Sequence, residues 1–179
     1  RRNIVGIWGD GNLGYITSLF FRYMYPDTKL IIFGTDKEKL NSFSFADETY
    51  LVWDVPENVE LDHAFECVGG GASQRAINQI IDLIHPEGAI SLLGVSEYPI
   101  PINTRMVLEK GLRLFGSSRS SREDFEKTVE MYQKHPEILG YLSNIVGAQV
   151  EVKSIADMNK AFELDIHKMM GKTVMIWNK

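Results

Sequence analysis

The stretch of residues 4–25 constrains the fold most, because its hydrophobic period changes from that of a strand to that of a helix across a glycine-rich turn. The run IVGIW at residues 4–8 is short and apolar, which predicts a strand buried in a parallel sheet. After the turn, apolar side chains recur at helical spacing and predict a helix with one stripe packed on that sheet: Tyr15, Ile16, Leu19, Phe20, Tyr23 and Met24.

Three glycines in this turn, Gly9, Gly11 and Gly14, have the spacing G-x-G-x-x-G between a predicted strand and a predicted helix. Gly9 permits a tight turn, Gly11 allows a pyrophosphate to approach the backbone, and Gly14 allows close packing of helix and strand. The N–H groups at the start of the helix would hold the anion. The motif therefore predicts a dinucleotide site, and the alternative is a glycine-rich turn without a ligand.

Composition excludes several other classes of protein. With 179 residues, the chain fits one domain with a small appendage. A net charge of −5 and the lack of a lysine-arginine block argue against nucleic-acid binding. No apolar run reaches the roughly 20 residues of a membrane span. One cysteine, Cys67, allows no internal disulfide and suits a reducing cytoplasm, and we expect it to be structural.

Strand and helix patterns alternate along the rest of the chain. Further strands are predicted at residues 29–33, 49–53, 64–68, 89–95 and 112–116. Helices are predicted at residues 34–40, with Thr35 and Glu38 as a capping box, and at residues 72–85, 104–110 and 121–134. This alternation predicts a doubly wound, parallel, six-stranded Rossmann sheet with helices on both faces. A strand–helix–strand segment is predicted to follow at residues 145–152, 155–166 and 172–177.

Five segments, GDGNLG, FGTDKEKL, AFECVGG, EGAISLLGV and GKTVMIW, resemble the cofactor-binding half of the medium-chain alcohol dehydrogenases/reductases in content and order. Within that family, FGTDKEKL and FSFADETY are most similar to the ribulose-5-phosphate reductases, which supply ribitol phosphate for cell-wall or capsule polymers. The resemblance implies that the chain is part of a longer enzyme, whose other domain holds the catalytic zinc and the sugar phosphate. We therefore expect no catalytic or metal-binding residue here.

The resemblance also implies a domain organisation and a set of cofactor contacts. Residues 1–143 would form the dinucleotide domain, and residues 144–179 would return to the missing catalytic domain. The pyrophosphate would lie against Gly9, Gly11, Asn12, Leu13 and Gly14. The nicotinamide half would lie along Val68, Gly69, Leu93, Gly94 and Val95, with the backbone of Phe115 at the carboxamide. For Leu93, Val95 and Phe115 the alternative is ordinary core packing.

The end of the second predicted strand indicates which cofactor is bound. NAD-binding sites usually have an acidic residue there, whereas this chain has Gly34 and Thr35. Lys37, with Lys39 as second choice, together with Thr35 and the N–H groups of the next helix, would meet a 2′-phosphate. We therefore predict NADP(H). The alternatives are lysines that are merely solvated, and an Asp36 that turns inward as the missing acid.

Two other functions and one assembly remain open from the sequence. A regulatory domain that senses dinucleotide would share the glycine turn, as would an S-adenosylmethionine-dependent methyltransferase. Residues 112–116 (LRLFG) form a short apolar strand that would expose unpaired backbone at a sheet edge. We expect these residues to pair across a homodimer axis, as the resemblance implies.

Overall fold

The computed structural model describes residues 3–167 and 170–177. Internal contacts divide the chain into two compact units, residues 1–121 and 122–179. The domain boundary between residues 143 and 144 stays a proposal. Some residues of the two predicted domains lie outside the described residues: residues 1 and 2 of the first domain, and residues 168, 169, 178 and 179 of the second segment.

The first unit contains a parallel sheet and the helices that connect its strands. Its strands are β1 (Ile4–Trp8), β2 (Lys29–Gly34), β3 (Glu48–Leu51), β4 (Leu61–Glu66), β5 (Ile84–Leu92) and β6 (Arg113–Gly116). Its helices are α1 (Asn12–Met24), α2 (Lys37–Leu40), α3 (Ser73–Leu83) and α4 (Thr104–Glu109). The strands pair in the order β3-β2-β1-β4-β5-β6, and every pair is parallel. This order confirms the predicted doubly wound sheet, whose direction of winding reverses between β1 and β4.

The reversal places helices on both faces of the sheet. Crossovers between parallel strands are almost always right-handed, so α1, which leads toward β2, and α3, which leads toward β5, cover opposite faces. Trp8 at the end of β1 lies on the α3 side, where its Nε1 donates to Gln79 Oε1 at 2.8 Å. Val5, three residues earlier, lies with Phe20 of α1 beside a cavity on the other face. The buried core on the α3 side includes Ile77, Ile80 and Ile81.

The largest departure from the predicted elements is at the start of β5. Sequence periodicity predicts a helix to residue 85 and a strand from residue 89, but α3 ends at Leu83 and β5 begins at Ile84. Ile84 pairs with Leu61, and the register then shifts so that Ala89 pairs with His63. Pro86, which has no N–H group, lies within this interruption of the ladder, where a proline is tolerated.

β5 also ends at Leu92 rather than at the predicted residue 95, and two other strands end earlier than predicted. β3 ends at Leu51, so that Trp53 lies beyond it, and β4 ends at Glu66, so that Val68 belongs to the following loop. Both differences move side chains from strand interiors to the carboxyl edge of the sheet, where ligands of this fold bind.

The second unit begins with two helices and ends with a small parallel sheet. Its elements are α5 (Arg122–Lys134), α6 (Ile138–Leu142), β7 (Val146–Val152), α7 (Ile155–His167) and β8 (Lys172–Trp177). β7 and β8 pair in parallel, and α7 is the crossover between them, which confirms the predicted strand–helix–strand segment. In the described part of the chain, no helix has the length and apolar character that crossing a membrane requires.

Candidate dinucleotide-binding site

The glycine-rich turn after β1 meets different steric demands at its three glycines. Gly9 has φ +125°, and its N–H donates to Phe33 O at 2.9 Å. A Cβ on Gly14 would lie 1.9 Å from Gly9 O, so that only glycine lets α1 pack on the turn. A Cβ on Gly11 would meet nothing within 4 Å. Packing thus requires Gly9 and Gly14, and the open side of Gly11 is available to a ligand.

The start of α1 suits an anion. Gly11 is the N-cap of this 13-residue helix, and within the described residues neither a side-chain hydrogen bond at the cap nor an acidic residue in the first turn occurs. Leu13, in this first turn, is 42% exposed. A helix N-terminus carries a partial positive charge that is usually balanced by such groups. A helix start with no capping side chain and no acidic residue in its first turn fits a bound pyrophosphate.

At the end of β2, carboxyl groups of the chain already occupy the backbone donors. Asp10 Oδ2 accepts from Thr35 N at 2.6 Å and from Asp36 N at 2.8 Å. This approach needs a glycine at position 34, because a Cβ there would lie 2.7 Å from Asp10 Oδ2.

The predicted capping box of Thr35 and Glu38 is therefore wrong. The N-cap of α2 is Asp36, whose Oδ1 accepts from Glu38 N at 2.8 Å and from Lys39 N at 3.2 Å. The N–H groups of this turn and of α2 were predicted to meet a 2′-phosphate, but those of residues 35, 36, 38 and 39 already have carboxylate acceptors. The alternative of an Asp36 that turns inward as the missing acid also fails, because its side chain caps its own helix.

The Glu66 carboxyl group joins the loops after β4 and β5. Glu66 is only 1% exposed. Its Oε1 accepts from Val68 N and Gly69 N, each at 2.9 Å, and from Ser73 Oγ at 2.6 Å, while its Oε2 accepts from Gly94 N at 3.1 Å. These four donors compensate the cost of burying the carboxyl group.

Backbone hydrogen bonds complete the same rim. Leu93 N donates to Glu66 O at 2.9 Å, and Gly70 N donates to Val95 O at 2.8 Å. The structure thus brings together the predicted nicotinamide-side residues Gly69, Leu93, Gly94 and Val95. Val95 is 86% exposed and Phe115 is 52% exposed, so neither side chain belongs to the core.

A cavity of about 580 Å³ opens at the carboxyl edge of the sheet, between the turns that follow β1, β2 and β4. Five of the predicted cofactor residues line it: Gly9, Gly11, Gly34, Thr35 and Val68. Val68, predicted on the nicotinamide side, therefore lines the same space as Gly34 and Thr35. Phe115 lines a separate cavity on the α1 face, and Lys37 is exposed outside the lining of both.

Four residues of this region were not predicted from the sequence. Asp10 lies inside the glycine motif, and Glu66 is a charged residue within an otherwise apolar strand pattern. Trp53 and Arg75 both line the cavity. Trp53 had a sequence signal, since it ends a predicted strand, and Glu66 had one as the charged residue in the strand predicted at residues 64–68. Arg75 had none, because its role depends on which face of α3 meets the cavity.

Cys67 is buried at the end of β4. Burial raises the pKa of its thiol to about 12, and its Sγ lies 3.7 Å from Thr17 Oγ1. A thiol that stays protonated packs as a small apolar group, in line with the structural role expected for it. Within residues 3–167 and 170–177, no three His, Cys, Asp or Glu side chains cluster in a way that could hold a metal ion.

Comparison with known proteins shows a match to one family model and high similarity to several relatives. A model of zinc-binding dehydrogenases matches residues 52–134. The chain is 54% identical over 177 residues to the ribulose-5-phosphate reductase of Bacillus spizizenii strain W23, and 52% identical over 177 residues to ribulose-5-phosphate reductase 1 of Staphylococcus aureus strain NCTC 8325. Each match covers 99% of this chain and 52% of the relative.

A crystal structure of S. aureus TarJ in complex with NADPH has the same fold, with a TM-score of 0.96 at 51% identity. That match covers 99% of this chain and 56% of the TarJ chain. The chain thus spans about half the length of the curated relatives it matches. Over 99% of its length the chain is similar to one half of these reductases, the half that carries the dinucleotide fold, and residues 52–134 match the zinc-binding dehydrogenase family.

Proposed function

We propose that this chain is the NADP(H)-binding half of a reductase that converts ribulose 5-phosphate to ribitol 5-phosphate for cell-wall or capsule polymer synthesis. The observation that carries the proposal is the similarity, over 99% of the chain, to ribulose-5-phosphate reductases and to a TarJ structure described in complex with NADPH. The bound nicotinamide would supply the hydride for the carbonyl. Zinc and sugar phosphate would be held by the other half of the enzyme.

Residues of the first unit would hold the cofactor in three groups. The pyrophosphate would lie at the uncapped start of α1, against Gly9, Gly11, Asn12, Leu13 and Gly14. The adenosine end would enter the cavity lined by Gly34, Thr35 and Val68, with Lys37 outside it. The nicotinamide end would follow the rim formed by Gly69, Leu93, Gly94 and Val95, with Phe115 on the neighbouring strand. The fit rests on a helix start that has no capping side chain and no acidic residue in its first turn, and on the open side of Gly11.

Fluorescence titration of the 179-residue chain with NADPH, NADH and S-adenosylmethionine tests this function directly. We expect saturable binding of NADPH, weaker binding of NADH, and none of S-adenosylmethionine. Tighter binding of NADH than of NADPH would overturn the assignment of the cofactor. Binding of S-adenosylmethionine alone would identify a methyltransferase instead.

The proposal extends to assembly and compartment. β6 is an edge strand of the six-stranded sheet, and an unpaired edge invites pairing with a second copy. We propose a homodimer through residues 112–116, which sedimentation at high protein concentration would reject if the chain stays monomeric. A single buried thiol suits the reducing conditions of a cytoplasm, where we place the reductase.

A further inference from the structure

A carboxylate held against the turn after β2 presents negative charge to the cofactor cavity. Asp10 lines this cavity, and its Oδ2 is held by the N–H groups of Thr35 and Asp36. The Asp36 carboxylate caps α2 and is not part of the cavity lining. An acidic group at this position opposes a 2′-phosphate and favours the free hydroxyls of NAD. A cofactor with a 2′-phosphate therefore needs a cation that faces the same space.

Arg75 is the cation that faces it. Of the described residues that line the cavity, Arg75 is the only lysine or arginine. It is the third residue of α3, and the neighbouring Ala72, Ala76 and Gln79 line the same cavity at helical spacing. One face of α3 thus forms a wall, and the two alanines leave room beside the guanidinium group.

The guanidinium group of Arg75 is also available for a ligand. Arg75 is exposed, and within residues 3–167 and 170–177 it takes part in no ion pair or side-chain hydrogen bond, in contrast to Arg105 on α4, which pairs with Glu109. Trp53, which is 68% exposed, lines the same cavity. An indole and a planar guanidinium group at one cavity suit an adenosine with an attached phosphate, because the indole can stack on the adenine ring and arginine binds phosphate through two parallel hydrogen bonds.

We propose that Arg75 selects NADPH over NADH by pairing with the 2′-phosphate, and that it offsets the carboxylate of Asp10. This inference rests on the proposed NADP(H)-binding function. It assigns the main phosphate contact to α3, in place of the lysines that follow β2.

Calorimetry on the 179-residue chain tests the assignment with two matched pairs of ligands: NADPH against NADH, and adenosine 2′,5′-bisphosphate against 5′-AMP. Arg75→Ala should weaken the 2′-phosphorylated member of each pair by about tenfold or more, because a charge-assisted contact is lost, and should leave the other member unchanged. Arg75→Lys should restore part of the preference. Arg105→Ala, which removes an arginine outside the cavity, should change neither pair.

Three results would count against the inference or its basis, and they are distinguishable. Equal weakening of both members of a pair by Arg75→Ala and by Arg75→Gln, with unchanged circular dichroism, would show a general structural role. A loss of preference caused by Lys37→Ala but not by Arg75→Ala would return the phosphate contact to the β2 turn, and the proposed function would stand. Failure of the unmodified chain to bind NADPH would overturn the proposed function itself.

Discussion

At the scale of single residues, Gly14 and Gly11 share one turn but have separate roles. Gly14→Ala should lower the free energy of unfolding by about 2 kcal/mol or more, because its Cβ would lie 1.9 Å from Gly9 O. Gly11→Val should keep stability within about 1 kcal/mol, since the position is open, and should abolish NADPH binding. Urea unfolding and calorimetry measure the two effects. Unchanged NADPH affinity of a folded Gly11→Val protein would contradict the pyrophosphate site.

Glu66 is a second residue whose replacement should lower stability, because its buried carboxyl group accepts four hydrogen bonds. Glu66→Ala leaves the N–H groups of Val68 and Gly69 and the Ser73 hydroxyl without their acceptor, and should cost about 3 kcal/mol of unfolding free energy. Gly94 N keeps the backbone acceptor Glu66 O at 3.0 Å. Glu66→Gln keeps an oxygen for the donors at Oε1 and turns its amide toward Gly94 N, so we expect a cost of about 1 kcal/mol. Urea unfolding of both variants checks the order, and equal stability of the two would show that the hydrogen bonds contribute little.

At the scale of elements, the end of α3 depends on a lysine that is distant in sequence. Lys110 Nζ donates to Ile81 O at 2.7 Å and to Asp82 O and Ile84 O at 2.9 Å each. These carbonyls lie at or just beyond the helix C-terminus, where a positive charge is favourable. The interaction secures the point at which α3 passes directly into β5.

Lys110→Met should therefore lower the free energy of unfolding by about 1.5 kcal/mol, since the methionine keeps the apolar length of the lysine and removes its donors. Arg105→Met on the neighbouring α4 is the control. It removes only an exposed pair with Glu109 and should change stability by about 0.5 kcal/mol or less. Thermal or urea unfolding distinguishes the two, and similar values for both variants would rule out a capping role.

At the scale of the whole molecule, the chain covers about half of its reductase relatives. We predict that the 179-residue chain binds NADPH but neither binds stoichiometric zinc nor oxidises NADPH in the presence of ribulose 5-phosphate. The reason is that the family's zinc ligands and substrate pocket are expected in the other half. Metal analysis and the absorbance of NADPH check both parts. One equivalent of zinc, or measurable turnover, would disprove the prediction.

Local patterns in the sequence were sufficient for the architecture. Alternation of strand and helix periods predicted six parallel strands and the later strand–helix–strand segment, because side-chain periodicity reflects burial on the face of each element. The glycine spacing marked the turn after β1, since backbone that packs as closely as Gly14 on Gly9 admits no side chain. The motifs and their order also indicated the family.

Tertiary contacts decided what local patterns could not. Thr35 and Glu38 have the spacing of a capping box, yet Asp36 caps α2, because Asp10 reaches across from the β1 turn and holds the Thr35 and Asp36 amides. The shift of register in β5 follows from its pairing with β4, 23 residues earlier in the case of Leu61 and Ile84. Arg75 faces the cofactor cavity only because α3 packs on the sheet through its isoleucines. In each case the deciding partner is distant in the chain, so its effect appears only when the sheet brings the two segments together.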